Sequence, residues 1–333
     1  MNNLDFAHAI GRIRVLETRF IDKSRIDRMI ESSSPEAAFK VLQETDYSNS
    51  MMGVKRVEDY EIILSNELDR AYLLMYEISP SKSLIDIFAL KYDYHNIKVL
   101  LKAKALKQDF DNLTISSGTV SVDKLKQYID TGDYRELDNI MRKGIERAEE
   151  ALFSKDNPQQ MDIILDKSMF EHMLYKAEES KESFIIGYIK NLIDFNNIKM
   201  FLRIRKQKQD RKFLEEALIS GGYIENSILT NSLNDSIENI YTKLLGTRYE
   251  KVFKASIDAF ADNGNLGYLE KTMDNYLTDY LKKSKYVSFG AEPIISYILA
   301  KETEIKIIRM IMVSKLNNIS PDIIKERLRD VYV

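Results

Sequence analysis

The chain has 333 residues, 44% of them hydrophobic and 30% charged, a balance that suits a soluble globular protein and excludes a disordered one. Its net charge of −3 gives no overall pull toward nucleic acid or an anionic membrane. The lack of cysteine excludes disulfides, thiolate chemistry and sulfur-ligated metal.

Met1-Asn2-Asn3-Leu4-Asp5 has neither the basic start nor the apolar run of a secretory signal. Glycine (12) and proline (5) are scarce, so few turns and long helices are expected. The prolines read as helix starts. Ser34-Pro35-Glu36 and Ser320-Pro321-Asp322 place a capping hydroxyl before Pro and an acid in the first turn, and Ser79-Pro80, Asn157-Pro158 and Glu292-Pro293 are variants. Beyond these starts the apolar spacing is helical, as in Ile185, Tyr188, Ile189, Leu192 and in Ile305, Ile308, Met312, Leu316. Only a short stretch, Thr119 to Val122, alternates like a strand. Breaks are expected at 109–118, 154–160, 220–222, 231–235 and 262–267, where Asn, Asp, Ser and Gly gather. Ile307 to Val313, interrupted by Arg309, is among the longest apolar segments and falls far short of the roughly 18–20 residues of a membrane span. The fold class read from this pattern is all-α.

One pattern organises the chain. Asp93-Tyr94-His95-Asn96-Ile97-Lys98 returns as Asp194-Phe195-Asn196-Asn197-Ile198-Lys199, and Leu101 matches Leu202. Composition alone would give roughly one identity over such a window. Downstream, Ile115-Ser116-Ser117-Gly118-Thr119-Val120 matches Ile219-Ser220-Gly221-Gly222-Tyr223-Ile224. A weaker third copy reads Glu304-Ile305-Lys306-Ile307-Ile308, with Lys301 and Glu304 at the Asp and Asn positions and Asn317-Asn318-Ile319-Ser320 at the turn. Three pseudo-repeated helical lobes follow, at 1–112, 113–216 and 217–333. Their period is too long for an ordinary solenoid. Each is expected to run helix, Asp–Asn corner, cationic helix, small-residue turn, helix.

The residues offer no assembled active site. Asp93, Asn96, Asp194 and Asn197 read as capping groups at a helix entrance, satisfying free backbone N–H groups, rather than as ligands or acid–base residues. His8, His95 and His172 are isolated, and there is no phosphate loop or dinucleotide fingerprint. Asp262-Asn263-Gly264-Asn265 has a misplaced glycine for a calcium loop and reads as a turn. No catalytic, cofactor or metal residue is named. Arg203, Arg205, Lys206, Lys208, Arg211 and Lys212 form the densest cationic stretch, echoed by Lys98, Lys102, Lys104 and Lys107. Without interleaved aromatics or a basic chain around it, such a face suits solvent or a protein partner better than nucleic acid.

Phe6-Ala7-His8-Ala9-Ile10-Gly11-Arg12-Ile13-Arg14-Val15-Leu16-Glu17 and Leu42-Gln43-Glu44-Thr45-Asp46-Tyr47 resemble the opening of the C subunit of bacterial and archaeal V-type (A-type) ATPases, the family of the eukaryotic d subunit. The motifs at 93–98 and 194–199, and the ending Lys301-Glu302 through Ser320-Pro321 to Arg327-Leu328 and Tyr332-Val333, belong to the same pattern. The resemblance spans essentially the whole chain; Phe6 stands where a tyrosine is usual. It implies a funnel-shaped body of three helical lobes, present once per complex on the cytoplasmic side of the membrane as a peripheral component. There it would join the rotor shaft (the D and F subunits) to the membrane rotor ring of ion-carrying subunits, without nucleotide, ion, cofactor or nucleic acid. Lys98, Lys102, Arg203, Arg205, Lys206 and Lys208 are then candidate contacts to rotor partners. A helical adaptor unrelated to rotary machines is the alternative, and a nucleic-acid binder using 203–212 a further one.

Overall fold

The computed structural model describes residues 3–244, 246–254 and 266–333; the turn read at 262–267 and the calcium-loop-like segment lie largely outside them. Helices and turns make up the described chain, with no strand among the described residues. The alternating stretch at Thr119 is a turn, and Val122 opens a helix.

Two of the proline helix starts carry the cap expected of them, whereas the Ser320 hydroxyl makes no cap bond and Glu292 lies inside its helix, whose cap position is Ala291. In α3 (Pro35–Gln43) the Ser34 hydroxyl accepts from the Ala37 N–H at 3.2 Å, and in α8 (Pro158–Ser180) the Asn157 side chain accepts from the Gln160 N–H at 2.9 Å. Pro293 lies in the first turn of a helix at 292–316, and Pro321 opens another at 321–327. Pro80 differs. The Ser79 hydroxyl donates to Ser81 O at 2.9 Å and accepts from Ser81 N at 3.1 Å, closing a local turn, and α5 (Lys82–Leu106) begins beyond it.

Contacts along the chain divide it into two compact units. One runs to Lys82 and resumes at Leu244; the other is Ser83–Lys243.

The first unit brings α1 (Ala7–Glu17), α2 (Lys23–Glu31), α3 and α4 (Tyr60–Ile78) together with helices from the far end of the chain. Its core joins Ile26, Met29 and Ile30 of α2, Phe39 and Leu42 of α3, Ile63 and Leu64 of α4, and Ile305, Ile308, Ile311 and Met312. Each large aliphatic side chain buried there contributes about 1.5–3 kcal/mol. The last four belong to the helix at Glu292–Leu316, which is buried on nearly every side over its first half and therefore lacks a polar stripe.

The second unit contains α5, α6 (Val122–Thr131), α7 (Asn139–Glu149), α8, α9 (Ser183–Lys206), α10 (Arg211–Ala217), α11 (Asn226–Asn231) and α12 (Ile237–Leu244), the last ending at its edge. Its core includes Ile85, Phe88 and Ile97 of α5, Met161 and Leu165 of α8, and Ile185, Ile189 and Ile193 of α9. Phe88 and Tyr188 meet edge to face at 5.9 Å. Helices α7 and α8 approach closely at Gly144, where a Cβ would lie 2.7 Å from the Ser168 hydroxyl. In the first unit the chain continues with α13 (Leu266–Lys282), α14 (Glu292–Leu316) and α15 (Pro321–Arg327).

Candidate functional site: a repeated clamp and the charged helix faces

Asp93 and Asn96 do not stand at a helix entrance. Both lie within the continuous helix α5, as Asp194 and Asn197 lie within α9, so the expected Asp–Asn corner is absent. Each pair reaches across to the turn further along the chain. Asp93 accepts from the Thr119 N–H (3.0 Å), the Thr119 hydroxyl (2.6 Å) and the Val120 N–H (3.0 Å). Asn96 donates to Ile115 O and accepts from Ile115 N, both at 2.8 Å.

In α9 the geometry repeats. Asp194 accepts from the Tyr223 and Ile224 N–H groups at 2.9 and 3.0 Å, and Asn197 brackets Ile219 through its N–H (2.8 Å) and carbonyl (2.7 Å). These four side chains do satisfy backbone N–H groups, but those of a distant turn. A turn between helices needs such partners because its peptides belong to no helix ladder.

Burial pushes Asp93 above the usual carboxylate range, while its bonds to Thr119 and Val120 pull the other way. The small residues have a steric role. A Cβ on Gly118 would sit 2.3 Å from Asp93 Oδ1, and one on Gly222 2.0 Å from Asp194 Oδ1. The carboxylate thus occupies the space a side chain would need.

The third copy exists in a different register from the one read in the sequence. Glu304, not Lys301, takes the aspartate's part: its Oε2 accepts from the Ile21 N–H at 2.5 Å. The segment it holds comes from the beginning of the chain, just before α2, whose Asp22 cap accepts from Arg25 N. Ile26 and Ile30 of α2 then fill the places taken by Leu125 and Ile129 of α6 and by Leu229 and Leu233 around α11, all buried.

Two further features fix this register. The left-handed residues Lys107, Lys208 and Asn318, each with φ of 54°, lie at the same distance along the chain from Asp93, Asp194 and Glu304. They close the three helices with matching bonds, Gln108 N to Ala103 O, Gln209 N to Ile204 O and Ile319 N to Ser314 O. Arg309 also stands in the place of Lys98. Lys98 pairs with Asp166 of α8 at 2.6 Å, and Arg309 with Glu61 of α4 at 2.7 Å.

Around Glu304 the first unit buries a charge network that the sequence did not reveal. Lys301 reaches Glu304 Oε1 at 2.6 Å and Glu67 at 3.4 Å, and the Tyr47 hydroxyl donates to Glu304 at 2.9 Å. Burial alone would lower the Lys301 pKa, but Glu304 and Glu67 outweigh it and hold it above the ordinary value. Arg70 binds Glu67 with both Nε (2.8 Å) and Nη2 (2.7 Å). Two buried carboxylates are thereby matched by two cations.

The candidate contact residues divide into two sets. Lys98 is paired as above, and Lys102 meets Asp162 at 2.9 Å, so the face on α5 is largely spent on α8. On α9, Arg205 donates to Leu233 O at 3.3 Å; the side chains of Arg203 and Lys206, and of Lys208 just beyond the helix end, are exposed. Of the six candidate contacts, the outward charge therefore lies mainly on the second basic face. Among the described residues no group of His, Asp and Glu could hold a metal ion, and no helix is long and apolar enough to cross a membrane.

The family model for the ATP synthase (C/AC39) subunit matches residues 9–327. The C subunit of the V-type sodium ATPase of Enterococcus hirae is 28% identical over 321 residues, covering 96% of this chain and 97% of its own. The C subunit of the A-type ATP synthase of Methanocaldococcus jannaschii is 27% identical over 346 residues, covering 97% of this chain and 86% of its own. Its counterpart in Pyrococcus horikoshii is 24% identical over 337 residues, covering 98% and 90%.

Proposed function

Because the chain belongs to the ATP synthase (C/AC39) subunit family, a structural and non-catalytic part of a rotary ATPase, we propose that it is the central-stalk component that couples the rotor shaft to the membrane rotor ring. Its partners in this reading are the D and F subunits of the shaft and the ion-carrying ring, with one copy per complex on the cytoplasmic side of the membrane. Torque between ATP turnover and transport of H+ or Na+ passes through it.

The observation that carries this reading is the correspondence with the family over residues 9–327, nearly the whole chain. The architecture supports it physically. A part that transmits torque must not absorb it, and helices packed at interior density yield little under load. The clamps fasten a turn to the middle of α5, α9 and α14, where an untied loop would give way first. We also propose three related units, in sequence order 1–112, 113–216 and 217–333, the last completed by the segment around Ile21. The exposed cations Arg203, Lys206 and Lys208, with Arg205 beside them, serve as polar contacts to a rotor partner.

The test is capture of the tagged chain from its native membranes, with its partners identified by mass spectrometry. Shaft and ring proteins in complex-like ratio support the coupling role. Capture of the chain alone contradicts it and returns function to a generic adaptor. A variant with Arg203 and Lys206 both changed to Glu should lose partners while staying folded, as its melting temperature would show; undiminished assembly would remove the basic face from the account.

A further inference from the structure

Two links between long helices, one in each unit, differ at their tips. The α8–α9 link is Lys181-Glu182, short as packed antiparallel helices allow. The α13–α14 link runs from Lys283 to Ala291 and opens with a single 3₁₀ turn, Lys283–Tyr286. Its side chains are also unusual: Tyr286 is 91% exposed and Phe289 50% exposed, next to exposed Lys283 and Lys285 and half-buried Lys282.

This tip is held firmly. Arg14 of α1 donates to Ser284 O at 2.8 Å and Val287 O at 2.9 Å, and the Ser284 hydroxyl meets the Tyr332 hydroxyl at 3.1 Å. The Lys285 ammonium lies 4.6 Å from the centre of the Tyr332 ring. Two acids beside the tip, Glu17 and Glu292, stand against the four cations Lys282, Lys283, Lys285 and Arg14; Glu17 is engaged by Arg14 and by the Tyr332 hydroxyl, and the Glu292 carboxylate lies against Gly290. Lys285 is shifted below its ordinary pKa by partial burial and by the neighbouring cations Lys282 and Arg14, with Glu17 opposing. The tip is thus locally positive within a chain of net charge −3.

Cations beside exposed aromatic rings on a preordered loop match the two requirements of a membrane–water interface. Lysines meet anionic headgroups, and Tyr and Phe rings sit at the headgroup boundary. We propose that the 282–289 tip docks on an anionic phospholipid surface, with Lys283 and Lys285 on headgroups and Tyr286 and Phe289 at the interface. An acidic protein loop could satisfy the lysines but would give a fully exposed tyrosine and a half-exposed phenylalanine no apolar medium.

The test is sedimentation of the full chain with phosphatidylcholine vesicles and with vesicles containing phosphatidylglycerol. Binding to the anionic vesicles alone, weakened by salt, is expected. Each lysine near such a surface contributes about fivefold in partitioning, so K283Q/K285Q should lose about twenty-five-fold. Y286S/F289S should lose binding to anionic vesicles even at low salt. Y286S/F289S should keep the wild-type melting temperature, and K283Q/K285Q, which gives up the Lys285 contact with the Tyr332 ring, should stay within about 5 °C of it, which separates a lost contact from a lost fold. Equal binding to both kinds of vesicle, or anionic binding that neither variant weakens, would overturn the proposal. So would lysine-dependent capture of soluble poly-L-glutamate with no vesicle binding.

Discussion

Replacing Gly118 by Ala probes the clamp with one methyl group. That carbon would lie 2.3 Å from Asp93 Oδ1 and 3.2 Å from its Cγ, far inside contact distance, so the carboxylate must leave its place. The same oxygen accepts from the Val120 N–H, and its partner oxygen binds Thr119 twice. A hydrogen bond to a charged group is worth about 1.5–3 kcal/mol, so losing one or two costs about 2–5 kcal/mol. The alanine recovers about 0.4–1 kcal/mol through the unfolded chain, because Gly118 is not among the glycines of positive φ. The net expectation is a loss of about 2–4 kcal/mol in urea unfolding. The decisive assay is a double-mutant cycle with Asp93→Ala. If the methyl acts through the carboxylate, Gly118→Ala should cost almost nothing once Asp93 is gone, leaving a coupling of more than about 1.5 kcal/mol. Additive costs, or a Gly118→Ala loss below about 0.5 kcal/mol, would refute the reasoning.

Gly11 supplies the opposite sign. It lies exposed within α1 with nothing within 4 Å of where a Cβ would stand, so Gly11→Ala should raise stability by about 1 kcal/mol in the same assay. Lys301→Met leaves Glu67 and Glu304 buried with one cation fewer and should cost about 3–5 kcal/mol. The folded-state pKa of Lys301 is raised, so its stabilisation is complete below the unfolded value of about 10.4 and fades as pH climbs through the folded one. Wild type should therefore lose stability above about pH 10 more steeply than Lys301→Met in urea titrations. Lys98→Ala removes a partly exposed ion pair with Asp166 and should cost no more than about 1 kcal/mol; a far larger loss would show that this pair anchors α5 to α8.

The all-α class was legible because it rests on local chemistry: scarce glycine, capping residues before proline, and apolar spacing of helical period. Two of the caps, at Ser34 and Asn157, form as read. Asp93, Asn96, Asp194 and Asn197 were recognisable as one repeated device, because identical residues return at a fixed interval. Their placement was not legible, since capping propensity sees only the neighbouring turn, whereas Asp93 binds a segment far along the chain. The third clamp was harder still. Ile21 and Glu304 are 283 positions apart, and the acceptor has changed from aspartate to glutamate. A signal was nevertheless present in Lys107-Gln108-Asp109 and Lys208-Gln209-Asp210, which mark where the two helices end. Aligning Asn318-Ile319-Ser320 with them sets Glu304 against Asp93. The division of the basic faces depends on Asp162 and Asp166 of α8, which no pattern within α5 could announce.

Coupling itself is tested most directly in membranes from cells lacking this chain, measuring ATP hydrolysis and ATP-driven ion uptake side by side. A component that joins shaft to ring predicts that hydrolysis persists in the catalytic part while uptake is abolished, and that the wild-type chain restores uptake. Ion uptake that continues at its normal ratio to hydrolysis without this chain would contradict the account.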